Sequence, residues 1–148
     1  MKNTILVALN ESIISHMSID YLINIGLNPE NVDITLLHIF QKASAEEELM
    51  GKKFTKERLP KIKIFLEAAR KKLIDHGFLE DQTKIKIITE QYSNVTDGII
   101  DQFKKNHYKM VMIGRRKMSK SEEFVLGDIS IKLVRALDET AIVVVKSK

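Results

Sequence analysis

The chain of 148 residues carries a formal net charge of +4, with 44% apolar and 30% charged residues and no cysteine. That length suffices for one domain, residues 1–148, with its own core. The lack of cysteine excludes disulfides, zinc thiolate sites and cysteine nucleophiles.

The first segment, Ile5–Leu9, is continuous and apolar, as a strand buried on both faces should be. It is too short for a secretory signal, and no apolar run approaches the ~20 residues that span a bilayer. A cytoplasmic protein without membrane contact is therefore expected. From Ser12, the residues Ile13, Ile14, Met17, Ile19, Tyr21, Leu22 and Ile25 form a helical stripe closed by Gly26. Asn28 and Pro29 mark a turn, and Val32–Phe40 reads as a second strand. Residues 41–55 are polar and read as a loop with a helical turn, Ser44 and Glu47 making a capping-box pattern.

A long helix follows, with Leu59, Ile62, Phe65, Leu66, Ala69, Leu73 and Ile74 at helical spacing. Pro60 suits its first turn and Gly77 its C-terminal cap. Its basic stretch, Lys52–Lys63 and then Arg70, Lys71 and Lys72, is interspersed with acids and reads as a solvated face. A nucleic-acid site would gather Lys and Arg on one face with aromatics to stack bases, and with acids interspersed no nucleic-acid partner is expected. Lys84–Thr89 alternates and reads as a strand near an edge. Val95, Ile99, Ile100 and Phe103 mark a shorter helix, and Met110–Ile113 a fourth strand ending at Gly114. Gly127 opens a last helix bearing Ile129, Ile131, Leu133, Val134 and Leu137, before a fifth strand, Ala141–Val145. Alternating strands and helices predict a doubly wound parallel α/β sheet with helices on both faces.

In such a sheet, ligands bind beyond the carboxyl ends of the strands, where the strand order reverses. Asn10–Ser12, Ile39–Gln41 and Gly114–Ser130 occupy those positions. In the last of these, a glycine lets backbone approach a phosphate, and a helix N-terminus offers N–H groups and positive potential.

This stretch, Gly114-Arg115-Arg116-Lys117, nine residues, then Gly127-Asp128-Ile129-Ser130, resembles the Gly-x2-Gly-x9-Gly-Ser/Thr motif of nucleotide-binding universal stress proteins. The opening Ile5–Ser12 and the closing Ala141–Val145 also resemble that family's first and last strands. The resemblance covers the whole chain and implies a Rossmann-like sheet of order 3-2-1-4-5. It further implies ATP or another adenine nucleotide as ligand. Adenine would lie near Asn10 and Ile39, and phosphates near Gly114, Arg116, Gly127, Ile129 and Ser130. Family members commonly dimerise through the final strand, which implies a homodimer through Ala141–Val145.

Three positions depart from the family pattern: Asn10 replaces an Asp, Lys117 the second glycine, and Asp128 the Ser/Thr. A carboxylate at a helix N-terminus satisfies the N–H groups a phosphate would use, and repels it. Lys117 adds positive charge to a loop with Arg115, Arg116 and Lys120, and a weakened site is expected. Lys117–Ser121, Lys-Met-Ser-Lys-Ser, resembles the ATP-handling loop of class I aminoacyl-tRNA synthetases. The partner His-x-Gly-His motif is absent, so the match reads as coincidence, although two lysines there could reach polyphosphate.

His16, His38, His76 and His107 share no metal-ligand spacing, and no metal site is expected. His38, inside an apolar strand, reads as a hydrogen-bonded core residue. The leading reading is a non-catalytic stress-response or signalling protein that binds adenine nucleotide weakly. The alternatives are a nucleotide-free interaction module of the same fold with an unknown protein partner and, third, a weak ATP hydrolase.

Overall fold

The computed structural model describes residues 2–10, 13–41, 52–115 and 129–146. Among the described residues, five strands, β1 (Asn3–Ala8), β2 (Val32–Gln41), β3 (Thr83–Tyr92), β4 (Met110–Arg115) and β5 (Ala141–Lys146), alternate with four α-helices. The helices are α1 (Ile13–Asn24), α2 (Lys52–Asp75), α3 (Val95–Lys105) and α4 (Ile129–Ala136). The sheet order is β3-β2-β1-β4-β5 and every pairing is parallel. The predicted order is therefore the observed one. β3 and β5 are the two edges, as the alternation of β3 and the order implied by the resemblance predict.

The central strand is the most apolar because helices cover both its faces: Ile5, Leu6 and Val7 are all buried. Side chains alternate between two cores. Ile5 and Val7 join Leu36, Phe40, Ile62, Leu66 and Leu73 beneath α1 and α2. Leu6 joins Leu37, Ile39, Ile99, Val111 and Leu133 beneath α3 and α4.

Two helices differ from their predicted stripes. In α1 the buried face is Ser15, Ser18, Ile19 and Leu22, while Tyr21 and Ile25 are exposed. Serines hold two of the i, i+3, i+4, i+7 positions, with Ile19 and Leu22 at the other two, so hydrophobicity finds only part of the buried face. α2 begins at Lys52, within the stretch read as loop, and Pro60 therefore lies well inside the helix rather than in its first turn. The polar residues from Lys52 have no apolar period to reveal them as helix. Downstream, Ile62, Leu66, Ala69 and Leu73 form the buried stripe.

The C-terminal stop of α2 is built as predicted. Gly77 adopts φ +102°, its N–H donates to the Ile74 carbonyl (3.0 Å), and Phe78 N–H donates to the Leu73 carbonyl (3.1 Å). This is the left-handed glycine stop with its Leu73–Phe78 apolar contact. Arg70 departs from the solvated-face reading. Its Nε donates to the Thr83 carbonyl (2.7 Å) and its terminal nitrogen to the Glu80 carbonyl (2.8 Å). Arg70 thus ties α2 to the start of β3 through two charge-assisted bonds. Arg70→Ala should lower stability by about 1–3 kcal/mol, read as an earlier urea midpoint; an unchanged midpoint would contradict this role. Among the described residues, no helix is long and apolar enough to cross a membrane.

Candidate functional site

β1 and β4 are neighbours, but the chain leaves them in opposite directions across the sheet. Their carboxyl ends therefore flank the crevice of a doubly wound fold. A cavity of about 220 Å³ opens there, lined by the ends of β1 (Ala8, Leu9, Asn10), β2 (Leu37, His38, Ile39) and β4 (Ile113, Gly114). Arg58 of α2, Val95 and Ile99 of α3, and Ile129 of α4 complete the lining.

The cavity has two unlike walls. Ile39, Ile99 and Ile113 belong to the core beneath α3 and α4, against which Val95 packs. Opposite them, the polar lining comprises Asn10, His38 and Arg58. Asn10 is anchored to α1: its N–H donates to Ser15 Oγ (2.8 Å), and the Ser15 hydroxyl donates to Asn10 Oδ1 (3.1 Å). Ser15 is buried, so this reciprocal pair ties Asn10, just past the end of β1, to α1.

His38 is 6% exposed, and its Nδ1 lies 2.9 Å from the Leu9 carbonyl. A carbonyl only accepts, so Nδ1 carries the proton. The hydrogen-bonded reading of His38 is thus correct, but the residue also lines the cavity. Its ring meets Phe40 edge-on at 5.2 Å, and the Arg58 guanidinium lies 5.8 Å from the centre of that same Phe40 ring. The sequence pattern places Arg58 in a charged run and gives no sign of this inward reach.

Gly98, in α3, bears on the site through Ile39, and the sequence pattern does not single it out. A Cβ there would stand 2.5 Å from Ile39 Cδ1 and 2.7 Å from Ile39 Cγ2. The bare backbone of α3 is what seats the Ile39 side chain beside the cavity. A glycine within a helical period is the available signal, since it costs about 1 kcal/mol relative to alanine and calls for a packing reason.

Of the sequence-predicted site residues, Asn10, Ile39, Gly114 and Ile129 converge on the cavity. Ser130 lies in the first turn of α4, beside them in the chain but not among the lining residues. Arg116, Lys117, Gly127 and Asp128 lie outside the described residues, as do Met118–Ser121. Gly114 falls within β4, one residue before its end, rather than closing the strand. Among the described residues, no cluster of three His, Asp or Glu side chains could hold a metal ion.

Outside the cavity lining, a phenol packs against the core beneath α3 and α4. Tyr92, the last residue of β3, donates its hydroxyl to Asp101 Oδ2 (2.8 Å). That bond holds the phenol above its ordinary titration range, and it ties the end of β3 to α3.

The family model described as "Universal stress protein family" matches residues 1–145. No curated protein sequence matches the chain. Among solved structures, UspA from Lactobacillus plantarum is similar, with 14% identity, 97% of each chain covered and a TM-score of 0.68. A universal stress protein in complex with cAMP has 14% identity and a TM-score of 0.69, covering 97% of this chain and 95% of its own. A universal stress protein from Archaeoglobus fulgidus in complex with dAMP has 13% identity and a TM-score of 0.58, covering 97% and 98%.

Proposed function

The chain belongs to the universal stress protein family, and from that premise we propose that it is a non-catalytic stress-response protein binding an adenine nucleotide in the cavity between β1, β2 and β4. The observation that carries this reading is the two-walled cavity at the sheet's switch point. An apolar wall of Ile39, Val95, Ile99 and Ile113 suits the faces of a purine, and Asn10 and His38 offer polar groups to its edge. At about 220 Å³, the cavity is smaller than the roughly 300–1,000 Å³ that encloses a drug-sized ligand. It therefore takes the base, and the phosphates extend past Gly114 toward Ile129 and Ser130 at the start of α4. Adenine nucleotides in two similar structures, cAMP and dAMP, support the same ligand class.

Thermal melting with and without nucleotide tests this. Ligand at 100 times Kd adds about 2.7 kcal/mol, and for a chain of this size that raises Tm by about 5–10 °C. No shift with millimolar ATP or AMP would rule the reading out.

One observation favours a second reading, an interaction module that uses no nucleotide. Asp128 stands where the family motif has Ser/Thr and immediately precedes α4, where it would cap the helix itself. The third reading, a weak hydrolase, requires phosphate release that Arg116 or Lys120 substitutions abolish.

A homodimer through β5 is part of the proposal. β5 is an edge strand paired only with β4 among the described strands. Its Ile142, Val143, Val144 and Val145 are only half-buried, and nearby α4 exposes Ile131 and Val134. An apolar edge without proline or inward charge is open to pairing with a second copy. Light scattering should give twice the 17.0 kDa chain mass; the mass of a single chain would refute the dimer.

A further inference from the structure

We propose that the Ile129 side chain forms an apolar rim on the cavity that packs against the nucleoside portion of the ligand, setting affinity without reading the phosphates. The inference rests on the adenine-nucleotide reading above and deepens it. The motif resemblance counts this position among the phosphate contacts, whereas the packing of its side chain points to a different part of the ligand.

α4 turns one apolar stripe toward the sheet. Ile129, Leu133 and Leu137 recur at i, i+4 and i+8 and so share a face. The Leu137 N–H donates to the Leu133 carbonyl (2.9 Å), which carries that face past the last residue of α4. Leu133 and Leu137 are buried in the core beneath α3 and α4. Ile129, on the same stripe, is 46% exposed. The difference has a local cause, because Ile129 borders the cavity alongside Ile113 and Gly114. Where the two leucines meet packed side chains, Ile129 meets open space. Ile131 and Val134 are exposed as well, but they lie off the stripe and do not line the cavity.

The position of Ile129 selects which part of a nucleotide it would cover. A helical side chain leans toward the helix N-terminus, here toward the carboxyl ends of the strands, where the cavity opens. An interior of about 220 Å³ takes the base against Ile39, Val95, Ile99 and Ile113, which leaves the attached sugar at the rim. The C–H face of a pentose is uncharged and apolar, and covering Ile129 with it removes apolar surface from water on both sides. A phosphate gains nothing from the same contact and would lose hydration. The phosphates therefore pass beyond this side chain.

The test is calorimetric titration of adenosine, AMP and ATP into the full chain and into its Ile129→Ala and Ile129→Leu variants. Ile129→Ala should weaken all three ligands by one common factor of about fivefold, the effect of losing a partly buried apolar contact. Ile129→Leu should recover most of that loss. The melting temperature of ligand-free Ile129→Ala should move little, since the residue is half-exposed and alanine favours the helix; this shows that the variant folds. Unchanged affinity in Ile129→Ala would overturn the inference and leave the nucleotide reading standing. A loss that grows from adenosine to ATP would also overturn it, by placing the side chain on the phosphates. Retained affinity with a fall from two chain masses to one in light scattering would assign Ile129 to a second copy instead. A natural chain that binds none of the three ligands would remove the nucleotide reading itself, and this inference with it.

Discussion

Replacing Gly98 by alanine should lower both stability and nucleotide affinity, although alanine is the better helix former. The propensity gain is about 1 kcal/mol. Against it stands a Cβ placed 2.5 and 2.7 Å from two carbons of Ile39. One of these, Cγ2, is attached directly to the branched Cβ of Ile39, so the whole side chain must turn or α3 must lift off β2. Overpacking of this kind costs about 1–3 kcal/mol, and we expect the net loss to appear as a lower Tm. The larger consequence is for the site. Ile39 lines the cavity and has α3 on its other side, so it yields toward the ligand. Affinity for AMP should fall at least tenfold, which is about 1.4 kcal/mol. A double-mutant cycle with Ile39→Ala separates cause from accident. Once Ile39 is truncated, Gly98→Ala should cost nothing in stability, leaving a coupling between neighbours of the size that direct contacts show. Equal effects of Gly98→Ala in both backgrounds would contradict this account.

The second large effect is a gain. Asp128→Ser combined with Lys117→Gly should raise ATP affinity ten- to a hundredfold. These positions lie outside the described residues, and the expectation comes from the sequence together with the start of α4 at Ile129. A carboxylate directly before a helix takes up N–H groups and adds negative charge where phosphate would sit. Hydrogen bonds to charged groups are worth roughly 1.5–3 kcal/mol, close to the roughly 1.4–2.7 kcal/mol of the stated gain. Asp128→Ser alone should supply most of it, since Lys117→Gly removes a favourable charge while restoring the glycine. Isothermal titration of the single and double variants decides the point. If only the double variant binds ATP, the natural chain is an interaction module that has abandoned the ligand. If Asp128→Ser changes nothing, the carboxylate does not face the phosphates.

The sheet was legible because its signals are local. Each strand is a short run of β-branched or apolar residues between turn residues, and the helices between them force parallel pairing. Asn10, Ile39, Gly114 and Ile129 were legible for a related reason: chain order alone assigns them to carboxyl ends of strands, or to the helix that follows. Glycine punctuation worked where backbone geometry demands it, as at Gly77 with φ +102°.

What failed were inferences that took one helix at a time. Hydrophobicity chose Tyr21 and Ile25 for the core face of α1, whereas Ser15 and Ser18 occupy it, because Ser15 is needed to hold Asn10. Arg70 and Arg58 looked alike as members of a basic stretch. Only the packing of α2 against β2 and β3 separates the arginine that binds backbone carbonyls from the one that faces the cavity.

By itself, then, the sequence determined the class of fold, the strand ends where a ligand belongs, and a family resemblance that extends over the whole chain. The first two follow from periodicity and chain order, and the third from likeness to a known motif, all of which residues carry without reference to distant neighbours. Tertiary structure alone decided the character of the site. Gly98 is separated from Ile39 by 59 positions and Arg58 from Phe40 by 18, and no local pattern encodes contacts across such intervals. Those contacts seat Ile39 in the apolar lining of the cavity and Arg58 in its polar lining.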